Sequence, residues 1–402
     1  MIMKTFNKIL GFFSIVAVLG SCSKEITSGN GSNTVIDSNS RYIQFDSGVS
    51  TRGTLVTTPY LQDHFAVLGY QYPRNWQTAS KMAKPNVFAS TPQIVSYNAG
   101  IYEYSPLRVW TGNNYSFFAY YPSKNDNIAL FGEKYEGTPY ISYTHPISTD
   151  PREMVDVMTA SYIDTHVDAS PEVRMRMEHR MSAIDIMARN YYQHTDESGT
   201  QHLVTIEITD LTLSLETYVG AQIYLDHDFK GANGKSIVPF YDTESEDVLT
   251  QTVEYKFVSS ESSLDWAPAF LNISSNSSDD TNLRPITQVG TNEPNAPKGT
   301  TVLLIPHSNP DDILKGSLQM TYRKKYSYTD ENGNVSDIYI TDEENNTTVF
   351  SIDEDLSKQK CTLKEGIRYY IEITFTSDAV SVNIVKSDDW DELEEDVKLE
   401  FE

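Results

Sequence analysis

The feature that most limits how this chain can fold is a two-residue alternation of apolar and polar side chains, recurring from about residue 42 to residue 385. Successive side chains on a strand point to opposite faces, so this period predicts half-buried strands rather than helices. It is clearest in Val173-Arg174-Met175-Arg176-Met177-Glu178-His179, where Val173, Met175, Met177 and His179 share one face. Ile367, Tyr369, Ile371, Ile373 and Phe375 alternate in the same way, as do Val380, Val382 and Ile384. Residues 42–45, 65–70 and 115–121 are further strand candidates, the last stopped by Pro122, and 301–305 is an apolar run ended by Pro306. Residues 318–328 and 335–340 flank Asn332-Gly333, a hairpin signal. Residues 183–188, 203–208 and 211–215, with a turn at Glu197-Ser198-Gly199, read as a meander. Helical character is confined to residues 151–157 and 388–395. Many short strands with turns between them predict an all-β fold of sandwich or barrel type.

The N-terminus carries a different signal. Lys4 and Lys8 precede an apolar run at 9–19, followed by Leu19-Gly20-Ser21-Cys22. A basic start, a short apolar core and small residues before a cut describe a secretory signal over residues 1–21. The run is well short of the ~20 residues that span a bilayer. Leu19 to Cys22 resembles a bacterial lipobox, in which the cysteine is acylated and becomes the first residue; several acyl chains anchor a protein stably. Ser23-Lys24-Glu25 resembles the short signals that send such lipoproteins to the outer surface. Residues 22–40, rich in Ser, Asn and Gly, read as a flexible tether. The remainder is long for one core, and is read as domains at 41–218 and 219–402, the second with a loop-rich insertion at about 241–300.

The formal net charge of −25 excludes nucleic acid as a partner, because nothing would offset phosphate repulsion. It suits a solvated exterior. The two cysteines are Cys22 and Cys361; with Cys22 acylated no disulfide is available, and Cys361 is read as a small buried hydrophobe. No Gly-x-Ser-x-Gly, His-Glu-x-x-His, phosphate loop or Cys-x-x-Cys occurs, so neither catalysis nor a cofactor is expected. Asp164, His166 and Asp168 could face a cation from one side of a strand, though a polar loop after Tyr162 is the simpler account. His179 is read as a core histidine, and Met175, Met177, Met181 and Met187 as core filling. Asp312 and Glu331 are scattered among many carboxylates, and no glycosidase pair stands out.

Taken in order, several segments resemble the fimbrillin family of Gram-negative anaerobes. Ile43-Gln44-Phe45 followed by Thr51-Arg52-Gly53-Thr54 is similar to the family's first strand and its protease-sensitive arginine. Residues 65–70 match the next strand, and Trp110 with Tyr115-Ser116-Phe117-Phe118-Ala119-Tyr120-Tyr121-Pro122 is the most recognisable stretch. Asp156 to Ala160, residues 173–186, 302–306 and 369–375 match later pieces. The resemblance implies two transthyretin-like β-sandwich domains in tandem, lipoprotein export and polymerisation outside the cell. It implies other pilus subunits as partners, an outer-membrane lipid anchor, and a surface location in a fimbrium that supports adhesion to a host ligand.

The mechanism so implied is strand exchange. A protease removes the first strand, and another chain fills the edge and groove left behind. Arg52 fits the cleavage site, within a small and flexible Thr-Arg-Gly loop; Arg41 is the alternative, but a cut there leaves residues 42–45 in place. Val397, Leu399 and Phe401 alternate with polar residues at the C-terminus and form a candidate donor strand, an ordinary edge strand or acidic tail being the other reading. The mature end is then Cys22 or Gly53, in a stalk, tip or anchor subunit. The competing reading is a monomeric surface lipoprotein that binds carbohydrate or host protein through exposed aromatics, with Trp76, Trp110 and Trp266 as candidates.

Overall fold

The computed structural model describes residues 42–47, 63–79, 84–98, 101–130, 138–166, 172–226, 235–261, 264, 266–275, 284–286, 301–342, 345–377 and 379–387. These form an all-β molecule of packed sheets, as the alternation predicts.

The near-continuous apolar runs 65–70 and 115–121 become the centre of a six-stranded antiparallel sheet. Its strands lie in the order Glu178–His179, Met158–Thr165, Asn114–Tyr121, His64–Tyr72, Gln93–Asn98 and Ile101–Glu103. Both of its faces are covered, which is why these runs lack polar alternation. Phe65, Val67, Phe117 and Ala119 point into one core, with Val173, Met175 and Met177. Ala66, Leu68, Tyr70, Phe118 and Tyr120 point into a larger core on the other side.

The larger core is closed by three more sheets. One joins Ser182–Asn190 in parallel to Arg368–Phe375, with Val380–Lys386 beyond it and Val302–Leu304 on the opposite edge. A second runs Thr250–Val258, Thr205–Tyr218, Gly316–Thr329, Val335–Tyr339. A third pairs Gly220–Tyr224 with Tyr140–Thr144. The hairpin at Asn332-Gly333 forms as expected, Gly333 taking φ +82° in the left-handed region that glycine tolerates.

Three expectations are corrected. Residues 173–179 are not one strand: Glu172–Arg174 pairs with Gln44–Asp46, and Glu178–His179 crosses to pair with Met158 and Thr159. The alternation survives because the segment keeps one face on the core throughout. The meander after residue 183 does not form. Ser182–Asn190 and Thr205–Tyr218 belong to different sheets, and only the intervening hairpin Gln193–Thr195 with Gln201–Leu203 pairs locally. Thr250–Val258, a nine-residue strand, lies inside the stretch read as loop-rich. Residues 151–157 hold only a 3₁₀ turn, Pro151–Glu153, and residues 388–395 lie outside the described residues.

Buried polar groups tie the layers together. His145 is 1% exposed between Tyr143 and the Tyr255 hydroxyl, 3.0 Å from its Nε2. Burial pulls its pKa from 6.5 down to about 4. The folded state therefore resists a proton that the unfolded chain accepts. Stability is expected to fall as pH drops from about 6.5 to about 4, by about 3 kcal/mol at about 1.4 kcal/mol per pKa unit. Urea melts of wild type and His145→Gln across that range check this: the substitution should flatten the slope, and an unchanged slope would assign it elsewhere.

Candidate functional site

The first strand, Gln44–Asp46, has three residues and packs on the smaller core. Among the described residues, this core is closed opposite the six-stranded sheet by this strand, its parallel partner Glu172–Arg174 with Met175 and Met177, the residues Val87 and Phe88, and the segment around residues 102–110. Ile43, Phe45 and Ser47 alternate inward, all buried, while Gln44 is exposed. Phe45 is the centrepiece. Its ring lies 5.6 Å from Phe117 and Tyr104, 6.1 Å from Phe88 and 6.2 Å from Phe65, mostly edge to face. Gly69 sits beneath: a Cβ there would fall 2.6 Å from the Phe88 ring, so glycine lets that ring reach Phe45.

The strand's backbone is held from both sides. Ile43 N–H donates to the Arg108 carbonyl at 2.8 Å, and Tyr42 bridges Val109. On the other side Met175 N–H donates to the Asp46 carbonyl at 2.7 Å. Tyr104 and Tyr102 hydroxyls donate to the carbonyls of Ile43 and Ser47, each at 2.9 Å. Burying a Phe and an Ile is worth about 1.5–3 kcal/mol each. The seat thus offers two apolar sockets two residues apart and backbone partners on both edges, which any extended segment of the same pattern can use.

The sequence-predicted site residues fare unevenly. Cys22, Arg41, Arg52, Val397, Leu399 and Phe401 lie outside the described residues. Arg52 falls between the first strand and the sheet strand that starts at His64. Trp76 and Trp110 are 3% and 7% exposed, so neither is a binding platform; the half-buried Trp266 lies under the Arg152 guanidinium, 5.6 Å from its ring centre. His179 is buried with Nδ1 2.9 Å from Asp156, and the four methionines are core residues, as read. Asp164 caps the Trp76 backbone and accepts from the Tyr72 hydroxyl, both at 2.8 Å, and among the described residues no group of three or more metal-ligating side chains occurs. Cys361 is half-buried, its thiol pushed up to about 11 by burial. Of the seat's far wall, Tyr104 to Trp110, the sequence singled out Trp110 alone; no local pattern marks the rest.

Residues 61–217 match the fimbrillin-like family. No curated protein matches the chain by sequence. Among solved structures, a fimbrial protein from Bacteroides vulgatus is 19% identical with a TM-score of 0.55, over 87% of this chain and 99% of that one. The fimbrial anchor protein Mfa2 from Porphyromonas gingivalis is 8% identical with a TM-score of 0.33, over 86% and 97%. Both of these solved structures are of fimbrial proteins. The matched residues 61–217, where the chain is similar to the fimbrillin-like family, carry the six-stranded sheet and both walls of the first strand's seat.

Proposed function

We propose that this chain is a structural subunit of a surface fimbria, exported as a lipoprotein on Cys22 and assembled by strand exchange at the seat of the first strand. The observation that carries the reading is Phe45: a strand of three residues supplies the central ring of a core, and the chain runs from it to the next strand through the segment that contains Arg52. Cleavage after Arg52 frees that strand and uncovers its sockets. Leu399 and Phe401 of a neighbouring chain repeat the two-residue spacing of Ile43 and Phe45 and would fill them in parallel to Glu172–Arg174. The partners are other fimbrial subunits, and the site of action is the outer cell surface.

Treating the purified protein with an arginine-specific protease tests this. Loss of residues up to Arg52, followed by ladders on partially denaturing gels, is expected, with Arg52→Lys blocking both. Cleavage that leaves a stable monomer would overturn the exchange mechanism.

A further inference from the structure

The two sockets of the first strand's seat differ in kind. Ile43 fills one with an aliphatic chain, while Phe45 is ringed by other aromatic side chains. Three of these, Phe65, Tyr104 and Phe117, stand steeply to the Phe45 ring, at 86°, 69° and 88°. In that arrangement the positive edge of one ring meets the negative face of another. A branched aliphatic side chain fills much of the same space but has no such edge or face, so it gains none of these contacts.

The fourth ring, Phe88, is brought in by a glycine. Phe65, Val67 and Gly69 share one face of the strand His64–Tyr72, the face on the smaller core. Phe65 and Val67 bring side chains there; Gly69 brings none, and Phe88 takes its place. A Cβ on Gly69 would lie 2.6 Å from the Phe88 ring and 2.8 Å from the Val87 Cβ. The segment that carries Phe88 is fastened to the same strand. Asn86 and Val87 N–H both donate to the Gly69 carbonyl, at 3.0 and 3.2 Å. The Asn86 side chain accepts from Gln71 N–H at 2.7 Å and donates to the Gln71 carbonyl at 3.0 Å. The neighbouring strand Gln93–Asn98 pairs only with residues 64–67, so Asn86 acts as a strand partner beyond its end. Phe88 also packs edge to face on Tyr104 at 5.5 Å and lies 6.2 Å from Phe117. These rings therefore brace one another and do not depend on Phe45 alone.

The backbone contacts of the seat are indifferent to sequence. The Tyr104 and Tyr102 hydroxyls bind the carbonyls of Ile43 and Ser47, groups that every residue offers. Choice among incoming strands therefore falls to the rings.

We propose that the seat selects its replacement strand, and that Phe88 is a specificity-determining residue. The strand it takes, from another subunit, carries an aromatic ring two residues after an aliphatic side chain, and a strand with aliphatic residues at both positions is disfavoured. This inference rests on the strand-exchange reading and names what the exchange accepts.

Peptides with the sequence of residues 41–48, carrying phenylalanine, leucine or alanine at the place of Phe45, test it. They compete with a fluorescently labelled phenylalanine peptide for protein cleaved after Arg52 and stripped of its own first strand. The phenylalanine peptide is expected to bind about tenfold tighter than the leucine peptide, from the edge-to-face contacts that leucine lacks, with alanine weakest. Phe88→Leu should lower the ratio of phenylalanine to leucine affinity and leave leucine binding nearly unchanged. Asn86→Ala, which unfastens the segment that carries Phe88, should lower the same ratio. If Phe88 only supports the fold, its substitution weakens both peptides alike; that result overturns the proposal. Equal affinity of wild type for the phenylalanine and leucine peptides overturns it as well, while leaving strand exchange intact. Binding of none of the peptides would instead overturn strand exchange itself, and this inference with it.

Discussion

Replacing Phe45 with alanine is expected to cost about 3–5 kcal/mol of stability. The ring is 5% exposed and lies within 6.2 Å of four other aromatic rings, so its removal leaves a cavity those rings cannot close by small shifts. Denaturant melts followed by tryptophan fluorescence report it directly, because Trp110 packs on Phe117 at 5.9 Å in the same core. Phe45→Leu, which keeps most of the volume, should lose much less. A cost under about 1 kcal/mol for Phe45→Ala would mean the first strand is not part of the core. A strand so strongly seated also explains how removal could drive assembly: the uncovered sockets favour whatever apolar strand replaces it.

Asp185→Ala is expected to be comparably severe, again about 3–5 kcal/mol. Asp185 and Arg368 are each 1% exposed and approach to 3.2 Å across the parallel pair Ser182–Asn190 and Arg368–Phe375. Thr301 donates to the other carboxylate oxygen at 2.7 Å, tying in a third segment. Burial raises the Asp185 pKa, opposed by the Arg368 charge and the Thr301 hydrogen bond, so the carboxylate depends on both partners to stay ionised. Removing it takes the opposite charge away from a buried guanidinium. The double variant Asp185→Leu with Arg368→Met should recover much of the loss, since an apolar pair of similar volume avoids the desolvation of both charges. Equal damage in the single and double variants would show that packing, not charge, holds this pair of strands.

The strands were legible because their two-residue period survives wherever one face stays on a core. Phe65 to Tyr70 and Tyr115 to Tyr121 were legible for the opposite reason, since strands buried on both faces lose their polar positions. Pairing was not legible. Nothing near Val173 says that it lies beside Phe45, or that His179, six residues on, crosses to Met158. The parallel partnership of Ile184 with Tyr369 joins residues far apart in sequence, and a strand pattern does not choose its neighbour. Charge placement was equally hidden: Lys324 and Lys325 are indistinguishable in sequence, but the strand turns one toward Glu207 and the other between two rings. At the candidate site, Ile43, Phe45 and Arg52 could be read because strand and loop are contiguous. The wall supplied by Phe88, Tyr104 and Arg108 could not, because a loop that packs by shape leaves no period.

The most direct test of the account is the N-terminal sequence and mass of the protein purified from its own cell surface. A chain that starts at Gly53, recovered as polymers, is what removal of the first strand predicts. A single acylated species that starts at Cys22 and keeps Ile43 and Phe45 would contradict maturation at Arg52, and with it the use of the first strand's seat for assembly.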